Sequence, residues 1–273
     1  MSRLATRFAT LKASRRSAFI PFITAGDPDS TITAALLRAL PAAGADIIEL
    51  GVPFSDPMAD GPAIQSSSLR ALSGGMNLAK TLDLVTGFRR HDTQTPLVLM
   101  GYYNPIHAYG LSRFVADASA AGVDGLITVD LPPEEDGGLR TTALAHGIDV
   151  VRLATPTSDE NRLRTITADA SGFLYYVSVA GVTGTKDVAE SDVKMAIARV
   201  RKASQLPVAV GFGIKTAEQA ARIARLADAV VVGSAIVTRI GAAHGEGRNG
   251  EELLAHTLQF CKELADAVHG ARG

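Results

Sequence analysis

Residues 43–51 read Ala-Gly-Ala-Asp-Ile-Ile-Glu-Leu-Gly, and this stretch decides the predicted fold. Its first glycine supplies the left-handed residue that stops a helix, and an apolar run begins shortly afterwards at Ile47. The same Gly-x-Asp junction returns within 121–124 and 146–149, and Leu-Ala-Asp at 226–228 is a weaker copy. The repeated junction predicts a chain that is built from successive helix-to-strand units.

Eight short apolar runs alternate with longer stretches of helical periodicity. The predicted strands are 18–24, 47–50, 97–100, 125–129, 150–153, 173–178, 208–210 and 229–232. The predicted helices include 31–43, 78–90, 112–121, 159–170, 192–203 and 217–226. Parallel strands that are buried on both faces read as continuous apolar runs, as these segments do. The α/β pattern favours a single (β/α)8 TIM barrel domain over 1–273, with an extra N-terminal helix and extra short helices, rather than an open doubly wound sheet.

Composition excludes several classes of protein. The 273 residues are 47% hydrophobic and 20% charged, which is typical of a globular chain with a full core and excludes disorder. The 27 basic and 28 acidic residues give a net charge of −1, so neither nucleic acid nor a membrane surface is an expected partner. The single cysteine excludes an intrachain disulfide framework and favours a reducing compartment. No apolar stretch is long enough to span a bilayer.

The first 26 residues carry five basic residues and no acid, a feature shared with transit peptides. However, Leu4, Phe8 and Leu11 recur at the spacing of one helix face. This periodicity favours an amphipathic helix that covers one end of the fold, and the expected location of the protein is the cytoplasm.

Glu49 is the first candidate catalytic residue. It lies at the end of a predicted strand, and the active sites of barrels of this type lie at the carboxyl ends of their strands. On a period of two it shares a face with Ile47, so burial should raise its pKa towards the range useful for proton transfer. The alternative is a structural carboxylate that accepts hydrogen bonds from the main chain.

The next segment, 51–62, reads GVPFSDPMADGP and contains three prolines, two glycines and two acids. This composition predicts an irregular loop, and long loops of this kind commonly carry function. Asp60 offers a second carboxylate, which can stay ionised and stabilise positive charge while Glu49 moves a proton. Asp56 precedes Pro57 and is more typical of a turn.

Three glycine-rich segments follow predicted strands late in the chain, at 181–184, 211–214 and 233–234. Glycines let main-chain N–H groups approach a ligand, and a helix that begins near Ser234 would direct its positive end at an anion. Barrels often bind phosphate with the loops after the seventh and eighth strands. Both nucleotide-binding fingerprints are missing, since Thr216 replaces the third glycine of one. The histidine spacing and the absence of a calcium loop predict no metal site.

Several aromatic residues also fall near the predicted strand ends and could line a flat apolar pocket. They are Phe22, Tyr102, Tyr103 and Phe212, together with Tyr175 within the sixth predicted strand.

Assembled, these segments resemble the alpha subunit family of tryptophan synthase. The resemblance rests on PFITAGDP at 21–28, ELGVPFSDP at 49–57 continuing to ADGP at 59–62, YYNP at 102–105, DLP at 130–132, GVTG at 181–184, GFGI at 211–214 and GSAIV at 233–237. These pieces span almost the whole chain in order, and the second is specific enough to indicate the family alone.

The resemblance implies the retro-aldol cleavage of indole-3-glycerol phosphate to indole and glyceraldehyde 3-phosphate, without a metal or an organic cofactor. It implies that Glu49 donates and accepts the proton at the indole ring, that Asp60 stabilises the positive charge on the indole nitrogen, and that Tyr175 positions the reacting groups. The residues that it implies around the indole are Phe22, Met100, Tyr102, Ile127, Val129 and Phe212. Those that it implies for the phosphate and for loop closure over substrate are Thr183, Gly184, Gly213, Gly233 and Ser234.

The resemblance also implies a partner, the tryptophan synthase beta subunit, in an alpha2-beta2 complex that receives the indole. We expect the docking surface to include the loop 53–62, with Phe54, Asp56 and Met58 exposed, and the segment 103–105. Two alternatives stay open from the residues alone. One is a different phosphate-binding barrel, such as a sugar-phosphate isomerase, and the other is a catalytically weak subunit that mainly regulates and feeds its partner.

Overall fold

The computed structural model describes residues 2–177, 190–211, 213–248 and 250–272. Within these residues nine parallel strands form one sheet in the order β5-β4-β3-β2-β1-β9-β8-β7-β6. The strands are β1 (Ala18–Thr24), β2 (Ile48–Gly51), β3 (Leu97–Gly101), β4 (Gly125–Thr128), β5 (Asp149–Val150), β6 (Arg152–Ala154), β7 (Leu174–Val177), β8 (Val208–Gly211) and β9 (Ala229–Val232).

The two edges of this sheet, β5 and β6, are consecutive pieces of chain that only Val151 separates. The first piece pairs with β4, and the Val151 N–H still donates to Leu126 O at 3.0 Å, whereas β6 pairs with β7. The sheet therefore closes on itself into a nearly complete barrel. The predicted TIM barrel is confirmed, with one correction: 150–153 is not a single strand, because the chain changes its hydrogen-bonding neighbour at this point.

Helices follow most of the strands. In the described part of the chain they are α1 (Arg3–Ala13), α2 (Ser30–Ala39), α3 (Pro62–Ser73), α4 (Leu78–Arg89), α5 (Tyr103–Tyr109), α6 (Leu111–Ala121), α7 (Gly137–Ala145), α8 (Glu160–Thr167), α9 (Glu190–Ala203), α10 (Ala217–Ala224), α11 (Ser234–Gly245) and α12 (Gly250–Gly270). The helix predicted over 31–43 ends early, at Ala39, because Pro41 has no N–H to donate to the preceding turn. None of the described helices is both long and apolar enough to cross a lipid bilayer.

The barrel interior is closed at its amino end by α1. Leu4, Phe8 and Leu11 are buried in the same cluster as the inward-facing residues of the strands, such as Ile20 and Val98. This confirms the predicted amphipathic helix that covers one end of the fold, and the end is the amino end of the barrel. Because α1 covers the amino end, a site can form only from the strand residues at the opposite, carboxyl end of the barrel.

The repeated Gly-x-Asp junction has a structural explanation. Asp46 and Asp124, together with Asp228 of the weaker copy, each accept a hydrogen bond from the main chain near the start of the preceding strand, at Phe19 N (2.9 Å), Leu97 N (2.8 Å) and Val208 N (2.9 Å) respectively. Asp149 of the third junction instead accepts a hydrogen bond from the Ser2 hydroxyl at 2.7 Å. Helix α1 binds to the same ring of acids, since the Arg3 guanidinium lies 2.8 Å from the Asp124 carboxylate. These aspartates therefore hold the amino end of the barrel together, and they lie away from the carboxyl-end site.

Candidate active site

Glu49 lies on β2, next to Phe22 of β1 in the sheet register, at the carboxyl end of the barrel. Its side chain is only 1% exposed, and its Oε2 atom has no hydrogen-bond partner among the described residues. Burial, and secondly the charge of Asp60, raise the pKa of the Glu49 carboxyl to about 8. The carboxyl is therefore largely protonated at neutral pH and has a proton to donate. A buried carboxylate with a purely structural role would have hydrogen-bond partners for its oxygens, so the unpartnered Oε2 argues against such a role.

Asp60 lies in the irregular segment between β2 and α3, as the proline-rich composition predicts. Burial raises the pKa of its carboxyl to about 6, and a hydrogen bond from the Tyr102 hydroxyl opposes this rise. Asp60 is therefore mostly ionised at neutral pH. The structure thus brings together two acids in opposite protonation states, because Glu49 is almost fully buried and Asp60 keeps some contact with solvent and with a hydrogen-bond donor.

Tyr175 on β7 is 3% exposed and lies in the buried cluster of the barrel interior. Burial, followed by the charge of Glu49, raises the pKa of its hydroxyl well above 10, so the group stays protonated. The hydroxyl lies directly against Gly211 of β8, where a Cβ atom would collide with it. The glycine at this position therefore makes the space in which the phenol sits.

A cleft opens beside these polar groups. Its lining includes Phe22, Met100, Tyr102 and Val129, which are four of the residues expected around an indole ring, together with Asp60. The fifth described member of that set, Ile127, is 2% exposed and lies in the interior cluster against which Met100 and Val129 pack. The sixth, Phe212, lies outside the described residues.

The ring of Phe22 fills a position that two glycines make possible. A Cβ atom on Gly51 would lie 2.5 Å from Phe22 Cζ, and one on Gly233 would lie 3.3 Å from Phe22 Cβ. The aromatic ring therefore packs directly against the main chain at the ends of β2 and β9. This packing gives the cleft a flat apolar wall.

The expected phosphate residues follow the neighbouring strands β8 and β9. Gly213 has a φ of +78°, a conformation that favours glycine, while Gly233 precedes Ser234, the first residue of α11. Among the described residues no side chain caps this helix, and the first N–H groups of a helix, together with its positive end, suit an anion. The expected Thr183 and Gly184 lie outside the described residues.

The loop 53–62 differs in one respect from expectation. Asp56 is exposed, and Met58 is 85% exposed, as predicted for a docking surface. Phe54 is instead half-buried, because its ring packs against that of Tyr102 with centroids 5.3 Å apart. Phe54 thus belongs to the inner side of the loop.

Sequence reasoning missed an ion pair that holds this end of the barrel. Asp27, which is 1% exposed, accepts two hydrogen bonds from Arg70 of α3, at 2.7 and 3.0 Å. The Arg70 guanidinium also packs against Gly241 of α11. Asp27 belongs to a motif quoted for the resemblance, but its partner lies 43 residues away and no spacing rule connects them.

The described residues contain no group of three or more histidine, cysteine, aspartate or glutamate side chains arranged to hold a metal ion. The described groups at this end of the barrel that can move a proton or stabilise charge include the two carboxylates and the Tyr175 hydroxyl.

Comparisons with known proteins agree with this geometry. A family model described as tryptophan synthase alpha chain matches residues 8–269. The crystal structure of tryptophan synthase subunit alpha from Legionella pneumophila str. Paris is 40% identical over 98% of each chain, with a TM-score of 0.91. Tryptophan synthase from M. tuberculosis, in its aminoacrylate-bound form, is 35% identical over 98% of this chain and 100% of that one, with a TM-score of 0.86. Because the match extends over nearly the whole length and includes the strands that carry Glu49 and Tyr175, the chain belongs to the tryptophan synthase alpha chain family.

Proposed function

We propose that Glu49 and Asp60 carry out the carbon–carbon lyase reaction of this family, the retro-aldol cleavage of indole-3-glycerol phosphate to indole and glyceraldehyde 3-phosphate. The observation that carries the assignment is the pair of neighbouring acids with different ionisation, one with a pKa of about 8 and one of about 6. At neutral pH such a pair supplies one proton and one fixed negative charge.

The reaction needs both. The protonated Glu49 donates its proton to C3 of the indole ring, which leaves a positive charge on the ring nitrogen. Ionised Asp60 stabilises that charge. The bond between C3 and the glycerol carbon then breaks, its electron pair returns to the ring, and Glu49 takes up the proton of the glycerol hydroxyl as the aldehyde forms. One proton is given and one is recovered, so the enzyme ends as it began. Tyr175, protonated and next to Glu49, positions the reacting groups.

The substrate spans the two halves of the site in this proposal. Its indole ring lies in the cleft between Phe22 and Tyr102, with Met100 and Val129 beside it. Its phosphate lies at the N-terminus of α11, where Gly213, Gly233 and Ser234 present main-chain N–H groups. We assign Ile127, Thr183, Gly184 and Phe212 to the same site on the resemblance alone.

The partner of the chain is the tryptophan synthase beta subunit, and we propose an alpha2-beta2 complex located in the cytoplasm. The docking surface includes the loop 53–62, whose Met58 is an exposed apolar side chain next to the exposed Asp56. This loop also carries Asp60, so docking acts directly on a catalytic group. The organisation of 1–273 as one domain stays a prediction.

An assay of indole release tests the function. Purified chain is mixed with indole-3-glycerol phosphate, with and without the beta subunit, and the indole formed is measured. We expect indole in both cases and a faster release in the complex. A chain that forms no indole under either condition would contradict the proposal.

A further inference from the structure

Tyr102 has polar contacts that its place in an apolar wall does not explain. It follows β3 directly and is only 4% exposed. Its oxygen accepts a hydrogen bond from Ala59 N at 3.0 Å. Its hydroxyl also acts as a donor towards the neighbouring Asp60 carboxylate, whose pKa it lowers. One phenol oxygen therefore binds the main chain of the loop at Ala59 and acts on the acid that follows it.

The ring of Tyr102 is itself held in place. It packs against Phe54, from the same loop, with centroids 5.3 Å apart. Burial and the charge of Asp60 raise the pKa of its hydroxyl above the ordinary value, so the group remains protonated and continues to donate. The loop thus contacts Tyr102 at two residues, since Phe54 packs on its ring and Ala59 binds its oxygen.

We propose that Tyr102 is a positioning residue, whose hydroxyl fixes the Asp60 carboxylate and the adjoining Ala59 main chain in the geometry that the reaction uses. This inference rests on the proposed function and adds a polar role to a side chain otherwise assigned to the indole wall. A catalytic carboxylate on an irregular loop needs such a restraint, since small displacements of a reacting group lower the rate steeply.

The groups around Asp60 determine in which direction its pKa moves when the Tyr102 hydroxyl is removed. Among the described residues, Glu49 faces it from β2, and Asp130, in the segment after β4, acts on Tyr102. Both are acids, and neither favours the ionised form of Asp60. The Tyr102 hydroxyl is the neighbour that lowers the pKa of Asp60 against burial. Its removal should therefore raise that pKa above about 6.

The test compares two tyrosines that each donate to an aspartate. Tyr102→Phe keeps the ring against Phe54 and deletes only the hydroxyl. Tyr109→Phe deletes the hydroxyl that donates to Asp117 at 2.7 Å, on the outer helices α5 and α6, and is the matched control. The titration of the Asp60 carboxyl is followed by carbon-13 NMR in the substrate-free chain, with the signal identified by its loss in Asp60→Asn. The kcat and KM of indole release are measured in the complex with the beta subunit.

In Tyr102→Phe we expect the pKa of Asp60 to rise by about 0.5 unit or more and kcat to fall on the order of 10-fold. The KM for indole-3-glycerol phosphate should change by less than about 3-fold. Tyr109→Phe should match the parent in every measurement. An unshifted Asp60 titration in Tyr102→Phe, or an equal shift in Tyr109→Phe, would overturn the positioning role. Because the titration needs no turnover, absence of indole release from the parent would count against the proposed function alone.

Discussion

At the scale of single residues, the chemistry depends on burial that differs between two acids. Glu49 is enclosed by the barrel, and its carboxyl has a pKa of about 8. Asp60 lies on a loop, and its carboxyl has a pKa of about 6. In the proposed mechanism, one carboxyl therefore serves as the proton donor and the other as the fixed negative charge. The deeper burial of Glu49 accounts for this difference.

Glu49→Gln tests the proton donor directly. The amide keeps the volume of the side chain but cannot transfer a proton, so we expect kcat to fall on the order of 10²-fold or more while KM stays close to the parent value. The matched control is Glu160→Gln, the same change at an exposed position in the first turn of α8, which should leave both constants unaltered. Turnover of Glu49→Gln near the parent rate would remove Glu49 from the mechanism.

At the scale of elements, most strands could be predicted because buried parallel strands are continuous apolar runs. The split at Val151 could not, since it is a change of hydrogen-bonding neighbour and leaves no mark on hydrophobicity. The helix after the loop, Pro62–Ser73, was not predicted either: three successive serines at 66–68 weaken its apolar pattern, although proline at its start is a helix signal.

The candidate site likewise contains residues that could be predicted from the sequence and contacts that could not. Glu49 and Asp60 could be located because they stand at or just after a strand, in a fold whose site position is known. The hydrogen bond from Ala59 N to the Tyr102 oxygen and the pairing of Asp27 with Arg70 could not be predicted, because each joins residues more than 40 positions apart. Contacts of that separation follow from the closure of the barrel and not from local sequence.

The Asp27–Arg70 pair should stabilise this end of the barrel. It links the segment after β1 to α3, and Arg70 also packs on α11, so Arg70→Met leaves a carboxylate buried without its partner. We expect a loss of about 3 kcal/mol in the free energy of unfolding, measured with urea. Arg248→Met, which breaks the exposed pair with Glu246, should cost less than about 1 kcal/mol. Equal losses in the two variants would show that the buried pair stabilises the fold no more than an exposed pair does.

At the scale of the whole molecule, the partner should act on the rate. A catalytic group on an irregular loop is competent only in the fraction of molecules that hold it in place, and docking of the beta subunit against 53–62 would raise that fraction. We expect kcat for indole release to increase on the order of 10-fold when the complex forms. Met58→Asp, which places a charge on the exposed docking side chain, should require more beta subunit to reach the same kcat. An isolated chain that already turns over as fast as the complex would refute this coupling.

The central claim, that one neutral and one ionised acid act together, is tested most directly by the pH dependence of kcat/KM for indole release. Below about pH 6 Asp60 takes up a proton and the negative charge is lost; above about pH 8 Glu49 releases its proton and the donor is lost. The account predicts a bell-shaped profile with limbs near these two values. In the residual activity of Asp60→Asn, the acidic limb should be missing. A profile that is flat between about pH 5 and about pH 9, or an acidic limb that persists in Asp60→Asn, would contradict it.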